Sequence, residues 1–262
     1  MPQILEPPRL SRFGDASVAE RYHLRPSYPP ETFDILRGLI TDRPVRVLDI
    51  GCGTGDIART IAMHADRVDA VDSSLPMLEH GKALAEGDAT NTNIQWIHES
   101  AESFAGQGPY ALITAGQSLH WMDWETALPK MAAMLTSNGV LAITTVLFQP
   151  RPPWQDGYTA IVKKYSNDPA YRSMNISEEL ESAGLFRTIG LRRTAPMLFK
   201  QTVMDYIESQ HGRSSLSLDA MTKSGAEGFK QEMWNLLQPY ATDDVLSFHV
   251  VGEVVWGRPM SR

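Results

Sequence analysis

The chain has 262 residues, 42% of them apolar and 21% charged, which suits one α/β domain with a sizeable core and excludes a largely disordered chain. Its net charge of −7 speaks against a surface that tracks the phosphates of DNA or RNA, and no apolar run nears the roughly 18 residues of a membrane span. A single cysteine, Cys52, excludes an internal disulfide, and the N-terminus lacks the basic-then-apolar pattern of a signal peptide, so a cytoplasmic protein is expected.

Residues 1–13 are Pro-rich and read as a flexible N-terminus. Ala16 to Tyr22 predicts a short helix halted near Pro26. Pro29-Pro30 opens another, with Phe33, Ile35, Leu36, Leu39 and Ile40 on its apolar side. An apolar strand over 45–50 then runs into Gly51-Cys52-Gly53-Thr54-Gly55. Glycines spaced in this way allow a tight turn and let the main chain approach a ligand closely. Ile57, Ala58, Ile61 and Ala62 recur at helical spacing, so the turn opens a helix (55–64) whose N-terminal N–H groups point at that ligand.

A second strand, 67–71, ends at Asp72, a helix is expected over 74–86, a third strand over 94–98 and a short helix near Ala101–Phe104. Tyr110–Thr114 reads as the fourth strand. Helix 124–135 carries Trp124, Leu128, Met131 and Leu135 on one face, and Pro129 should kink it or mark a late start. Ser137-Asn-Gly139 reads as a helix-stop turn before a fifth strand, Val140–Leu147. Beyond Gln149, three prolines and the aromatics Trp154, Tyr158, Tyr165 and Tyr171 mark a change of character. The segment 149–185 reads as a cap insertion. Arg187–Phe199 then reads as a sixth strand, Thr202–Gln210 and Gly225–Leu237 as helices, and Asp244–Trp256 as a long last strand. The alternation implies a doubly wound, mostly parallel sheet.

The glycine spacing bears on the ligand. A dinucleotide site wants G-x-G-x-x-G, and where its third glycine belongs this chain has Asp56, a carboxylate that would repel a pyrophosphate. A nucleoside without phosphates fits better. The block Val47-Leu-Asp49-Ile-Gly51-Cys-Gly53-Thr54-Gly55 resembles motif I of the class I S-adenosylmethionine (SAM)-dependent methyltransferases. Two other stretches resemble the small-molecule subgroup similar to trans-aconitate methyltransferase: Arg25-Pro-Ser-Tyr-Pro29 and Gln117-Ser-Leu-His120-Trp121. The resemblance covers about 14–148 well and 186–257 only by topology. It implies a Rossmann-like, seven-stranded sheet with N-terminal lid helices over a SAM-binding core (14–148), and a sheet completed, with further helical cap elements, by 186–257.

Asp72, ending its strand about 17 residues past Gly55, can accept both hydroxyls of a ribose; alternatively it is a solvated strand-end acid. By resemblance, motif I (Asp49, Gly51, Gly53, Thr54, Gly55) and Ser73 belong to the cofactor site, and Met77 packs on the adenine face. Relatives carry an Asp-Ala pair where this chain has Ser100-Ala101, so either Ser100 or Glu102 would meet the adenine amino group, unless Ser100 is a plain helix cap. Ala115 and Gln117 would touch the methionine part, while Arg25 approaches its carboxylate from a lid lined by Tyr22 and Tyr28. A guanidinium fork matches a carboxylate. His120 could remove a proton from a substrate hydroxyl or simply cap its turn. Trp121 and Trp124 read as packing more than as a substrate wall. No histidine or cysteine spacing suggests a metal site.

The expected function is methyl transfer from SAM to a small-molecule acceptor, most readily a carboxylate or hydroxyl oxygen, with no nucleic acid or membrane partner. The rivals are a SAM-binding protein of this fold that transfers no methyl group, a nicotinamide oxidoreductase, disfavoured by Asp56, and a nucleic-acid methylase, disfavoured by charge.

Overall fold

Val47, Leu48 and Ile50 are all but completely buried, the mark of a strand covered on both faces. They belong to β1 (Arg46–Ile50), the centre of a sheet in a computed structural model that describes residues 16–166 and 175–260. The N-terminal segment 1–13 and Tyr171 lie outside these residues. Parallel to β1 run β2 (Arg67–Asp72), β3 (Ile94–His98), β4 (Tyr110–Gly116) and β5 (Leu135–Phe148). Antiparallel to β5 comes β8 (Val245–Pro259), which in turn pairs with β6 (Phe186–Arg193) and β7 (Met197–Thr202). The order is β3-β2-β1-β4-β5-β8-β6, so the strand order, though not the strand direction, reverses between β1 and β4, where α/β sheets bind ligands.

The expected seven strands are eight in seven places. The run 187–199 is broken at Thr194-Ala195-Pro196, where proline has no N–H to give the ladder. Opposite the break, Thr194 N–H donates to the Gly252 carbonyl (2.9 Å) and Gly252 N–H donates to Thr194 Oγ1 (3.0 Å). Val250 pairs with Phe148 on one side and Met197 on the other, so β6 and β7 lie end to end along the outer edge of β8.

Helices α2 (Pro30–Gly38) and α3 (Asp56–Ile61) cover one face through Ile35, Leu36, Ile57 and Ile61. On the other face lie α5 (Trp124–Met134) and α7 (Ile176–Ser182), contributing Leu128, Met131 and Leu180. Helix α4 (Leu75–Ala85) is capped by Ser74, whose hydroxyl accepts the Met77 N–H. Helix α5 starts at the Asp123 cap and runs through Pro129, so proline does not mark a late start. No glycine stop follows it. β5 begins directly at Leu135, and the pairing jumps from Tyr110–Leu135 to Leu112–Val140. Residues 136–139 bulge out and are pinned by Asp42, which accepts the Asn138 N–H and Nδ2–H at 2.9 Å each. The segment 101–103 is a turn rather than a helix.

A third core lies outside the sheet. Helices α6 (Gln155–Tyr165), α8 (Val203–Gln210) and α9 (Lys223–Leu237) enclose Tyr158, Val162, Tyr206, Ile207, Phe229 and Met233 against Leu246, Phe248 and Val250 of β8. Trp154 meets Tyr206 and Phe248 edge to face, with ring centroids 6.1 Å apart in each pair. Such pairs add about 0.5–1.5 kcal/mol beyond their burial. The segment 149–185, expected as one cap insertion, thus divides: α6 joins this module, whereas α7 covers the main sheet.

The short helix α1 (Ala16–Arg21) and the turn Tyr22–Leu24 are held against the third core. Arg21 Nε donates to Glu208 Oε2 (2.9 Å), Gln201 Nε2 to the Leu24 carbonyl (2.7 Å), and Ser17 N–H to Asp219 Oδ2 (3.3 Å).

Candidate cofactor and active site

The glycine turn lies at the C-terminal end of β1, with φ of +66° at Gly51, +56° at Gly53 and +77° at Gly55, a region that favours glycine. The Val71 carbonyl accepts the N–H groups of Gly51 (2.8 Å) and Cys52 (3.0 Å), docking the turn on β2. A Cβ on Gly55 would meet the Trp96 ring at 2.4 Å, whereas one on Gly53 would stand 3.3 Å from Met77 Cε and 3.7 Å from the Tyr22 hydroxyl. The first glycine serves packing and the second keeps the approach to a cavity clear.

That cavity, about 250 Å³, is bordered by the turn at Gly51 and Gly53, by Asp72, Ser73 and Met77, and by Ser100, Ala101 and Glu102. Tyr22 and Arg25 border it from the N-terminal segment, and Gln117, His120 and Trp121 from the end of β4. Asp72 accepts the Gly53 N–H on Oδ2 (2.7 Å) and the Ser74 N–H on Oδ1 (2.8 Å). Each oxygen keeps a second lone pair for a ligand. Desolvation raises this carboxyl above the ordinary carboxylate range, against the lowering effect of those N–H groups.

In that N-terminal segment, the Arg25 guanidinium carbon stands 5.0 Å from the centroid of the Tyr22 ring, and its Nη2 donates to Gln117 Oε1 (3.0 Å). Gln117 has φ +52°, an uncommon conformation for a residue with a side chain. Its side chain also hydrogen-bonds with Tyr28, whose ring packs against Phe33, away from the cavity. Burial pushes the Tyr22 phenol up, so it stays a neutral donor.

Asp49, Thr54, Gly55 and Ala115 do not border this cavity. Asp49 is buried behind the turn, where it accepts Thr114 Oγ1–H (2.7 Å) and the Ala58 N–H (3.2 Å), tying β1 to β4 and to α3. Thr54 faces α4, where a Cβ on Gly81 would be 2.7 Å from its carbonyl oxygen, and Ala115 is fully buried in the main core. Ser100 caps its turn by accepting the Ser103 N–H (3.2 Å) while remaining at the cavity wall. Glu102 is partly committed, since its Oε1 accepts the Asp123 N–H (2.8 Å). Trp124 donates Nε1–H to the Leu119 carbonyl (2.6 Å) as a packing residue, whereas Trp121 stands at the wall.

Sequence reasoning missed Glu99 and the loop Gly212-Arg213-Ser214-Ser215, which reaches the cavity from the third core. A polar, glycine-started break after α8 is that loop's only local signal. Desolvation first, and then the Asp49 and Asp72 carboxylates, push the Cys52 thiol well up, which disfavours the thiolate. Among the described residues no cluster of histidine, cysteine and acid could hold a metal ion, and no helix is long and apolar enough to cross a membrane.

Burial pushes the Asp49 carboxyl from an ordinary 3.8 up to about 7. Between those values the folded chain holds a proton that the unfolded chain has released, so stability falls as pH rises, by about 1.4 kcal/mol per pH unit for this one group. The contribution is fully present below the lower value and gone above the upper. Asp49→Asn can accept from Ala58 and donate to Thr114, so it is expected to flatten this slope and to be the more stable protein at pH 8. Urea unfolding at pH 5 and pH 8 checks the sign.

Residues 47–139 match the methyltransferase domain family model. This stretch contains the glycine turn, Asp72 and the His120 wall. The chain carries a methyltransferase domain over this stretch and is similar to SAM-dependent methyltransferases. An uncharacterised methyltransferase of Schizosaccharomyces pombe is 26% identical over 205 residues, 77% of each chain. A malonyl-[acyl-carrier protein] O-methyltransferase of Halalkalibacterium halodurans is 33% identical over 112 residues, only 40% of each chain. A SAM-dependent methyltransferase of Geobacter sulfurreducens, solved with S-adenosyl-L-homocysteine, shares the fold at a TM-score of 0.55 and 16% identity, over 98% of this methyltransferase and 100% of that chain.

Proposed function

We propose that this methyltransferase acts on an oxygen, carboxylate or hydroxyl, of a small-molecule acceptor in the cytoplasm. The observation that carries the reading is one cavity in which a Cβ-free cradle, the Asp72 carboxylate and the lid residues face a wall bearing His120. The residues fit the cofactor. Asp72 has lone pairs for two ribose hydroxyls, Met77 offers an apolar face to a base, and Arg25 stands at the end of the cavity beside Gln117 for a carboxylate. When bound, SAM supplies a methyl group on a positively charged sulfur. The chain itself contributes position, which in well-aligned reactions supplies about 7–11 kcal/mol of the barrier, and water exclusion by the lid. Where the acceptor is a hydroxyl, His120 takes its proton; a carboxylate needs no base.

The small volume of the cavity, about 250 Å³, and the −7 charge support a small molecule over a nucleic acid, and the O-methyltransferase resemblance supports oxygen. The test is incubation with methyl-labelled donor and, separately, a metabolite extract, total RNA and sheared DNA. Label is expected in the small-molecule fraction. Label in nucleic acid, or tight donor binding without labelled product, defeats the reading.

A further inference from the structure

A second cavity, about 360 Å³, adjoins the first, and Gln117, Ser118 and His120 border both. Leu119, Ile143, Leu147 and Val255 form an apolar side of its wall, and Gln117, Ser118, Asn175 and Ser177 a polar one. Thr145 adds a hydroxyl. The charged residues that border it are Arg193 and Glu253, cross-strand neighbours on β6 and β8. Arg193 Nη2 and Nε stand 2.6 and 2.7 Å from the same oxygen of Glu253.

This pairing discriminates between acceptor chemistries. A carboxylate subsite presents a guanidinium fork to its ligand, but here the fork is engaged and the two charges cancel. An entering carboxylate would meet a guanidinium already neutralised by Glu253, whose side chain is only 14% exposed, and would place two like charges side by side. A hydroxyl meets no such cost, and the apolar wall suits a hydrocarbon or ring body. We infer that this second cavity holds the methyl acceptor and selects an uncharged alcohol or phenol on an apolar body over a carboxylate. The inference rests on the first cavity being the cofactor's, and it narrows the proposed function to hydroxyl acceptors presented to His120 at the junction.

Calorimetry with the full chain, saturated with S-adenosylhomocysteine, tests it using 2-naphthol and 2-naphthoate as matched probes at neutral pH. The native protein is expected to bind 2-naphthol at least tenfold more tightly than 2-naphthoate. Val255→Trp, which fills the cavity, should weaken 2-naphthol at least tenfold and leave S-adenosylhomocysteine unaffected. Glu253→Gln leaves the arginine charge uncompensated and should raise 2-naphthoate affinity at least tenfold; because glutamine keeps the size and shape of the side chain, this variant keeps the test open if the tryptophan variant fails to fold. Equal or tighter binding of 2-naphthoate to the native chain, no binding of 2-naphthol, or indifference to Glu253→Gln overturns the inference while S-adenosylhomocysteine still binds. Failure of S-adenosylhomocysteine itself to bind overturns the cofactor reading instead.

Discussion

Asp72→Asn is expected to weaken S-adenosylhomocysteine binding by roughly a hundredfold or more while leaving the chain folded. Hydrogen bonds to a charged acceptor contribute about 1.5–3 kcal/mol each, and loss of two ribose contacts at the lower figure is already about 3 kcal/mol, or more than a hundredfold. The substitution has a second cost. Both oxygens of the native carboxylate accept backbone N–H groups, from Gly53 and Ser74, so the new amide must set its own NH2 against one of them. That tilts the Gly53 cradle as well as removing charge. Because desolvation raises the Asp72 carboxyl, native affinity should also weaken on acidification at a higher pH than an ordinary aspartate would give, and the variant should lose that dependence. Calorimetry across pH 5–8, with melting temperature as the control for folding, measures both. Affinity within fivefold of native would remove Asp72 from the cofactor site.

Legibility in the sequence follows the range of the interactions. The β1–turn–α3–β2 unit was legible because its signals are local: an apolar run, glycines spaced two apart, and an acid at the next strand's end. The split of the sixth strand depends on Pro196 and on Gly252, a partner more than 50 residues away, and only the proline is visible locally. The start of β5 was misread because Ser137-Asn-Gly139 resembles a helix stop, yet Gly139 is there for a close approach, its Cβ position lying 2.6 Å from the Tyr110 carbonyl. The same distinction sorts the candidate site. Asp72, Met77 and Gln117 stand where strand ends put them. Asp49 and Thr54 share the motif but turn into the interior, which a linear block does not disclose. The loop 212–215 arrives through packing of α6, α8 and α9 into a core of their own, and no short-range pattern marks that assembly.

His120→Ala is expected to lower kcat by about a hundredfold to ten-thousandfold, the usual span for a positioned general base, with S-adenosylhomocysteine affinity held within about threefold. The residue stands where the two cavities meet, its ring centroid 4.8 Å from that of Trp121. A hydroxyl oxygen must lose its proton as the new bond forms, and His120 is the titratable side chain common to both cavities. A carboxylate acceptor arrives ionised, so for it the same substitution would leave kcat nearly unchanged. Loss of the ring also removes packing against Trp121, which could disturb the wall without touching proton transfer. His120→Gln separates the effects, since it keeps a polar side chain of similar reach but cannot hold the proton. If proton removal is the role, both variants lose kcat and the rising limb of the pH–rate profile, with KM little changed. If the role is positional, glutamine restores much of the rate and the limb persists. Full activity in both variants would remove His120 from the chemistry and return the choice of acceptor to a carboxylate, against the neutral cavity that Arg193 and Glu253 make together.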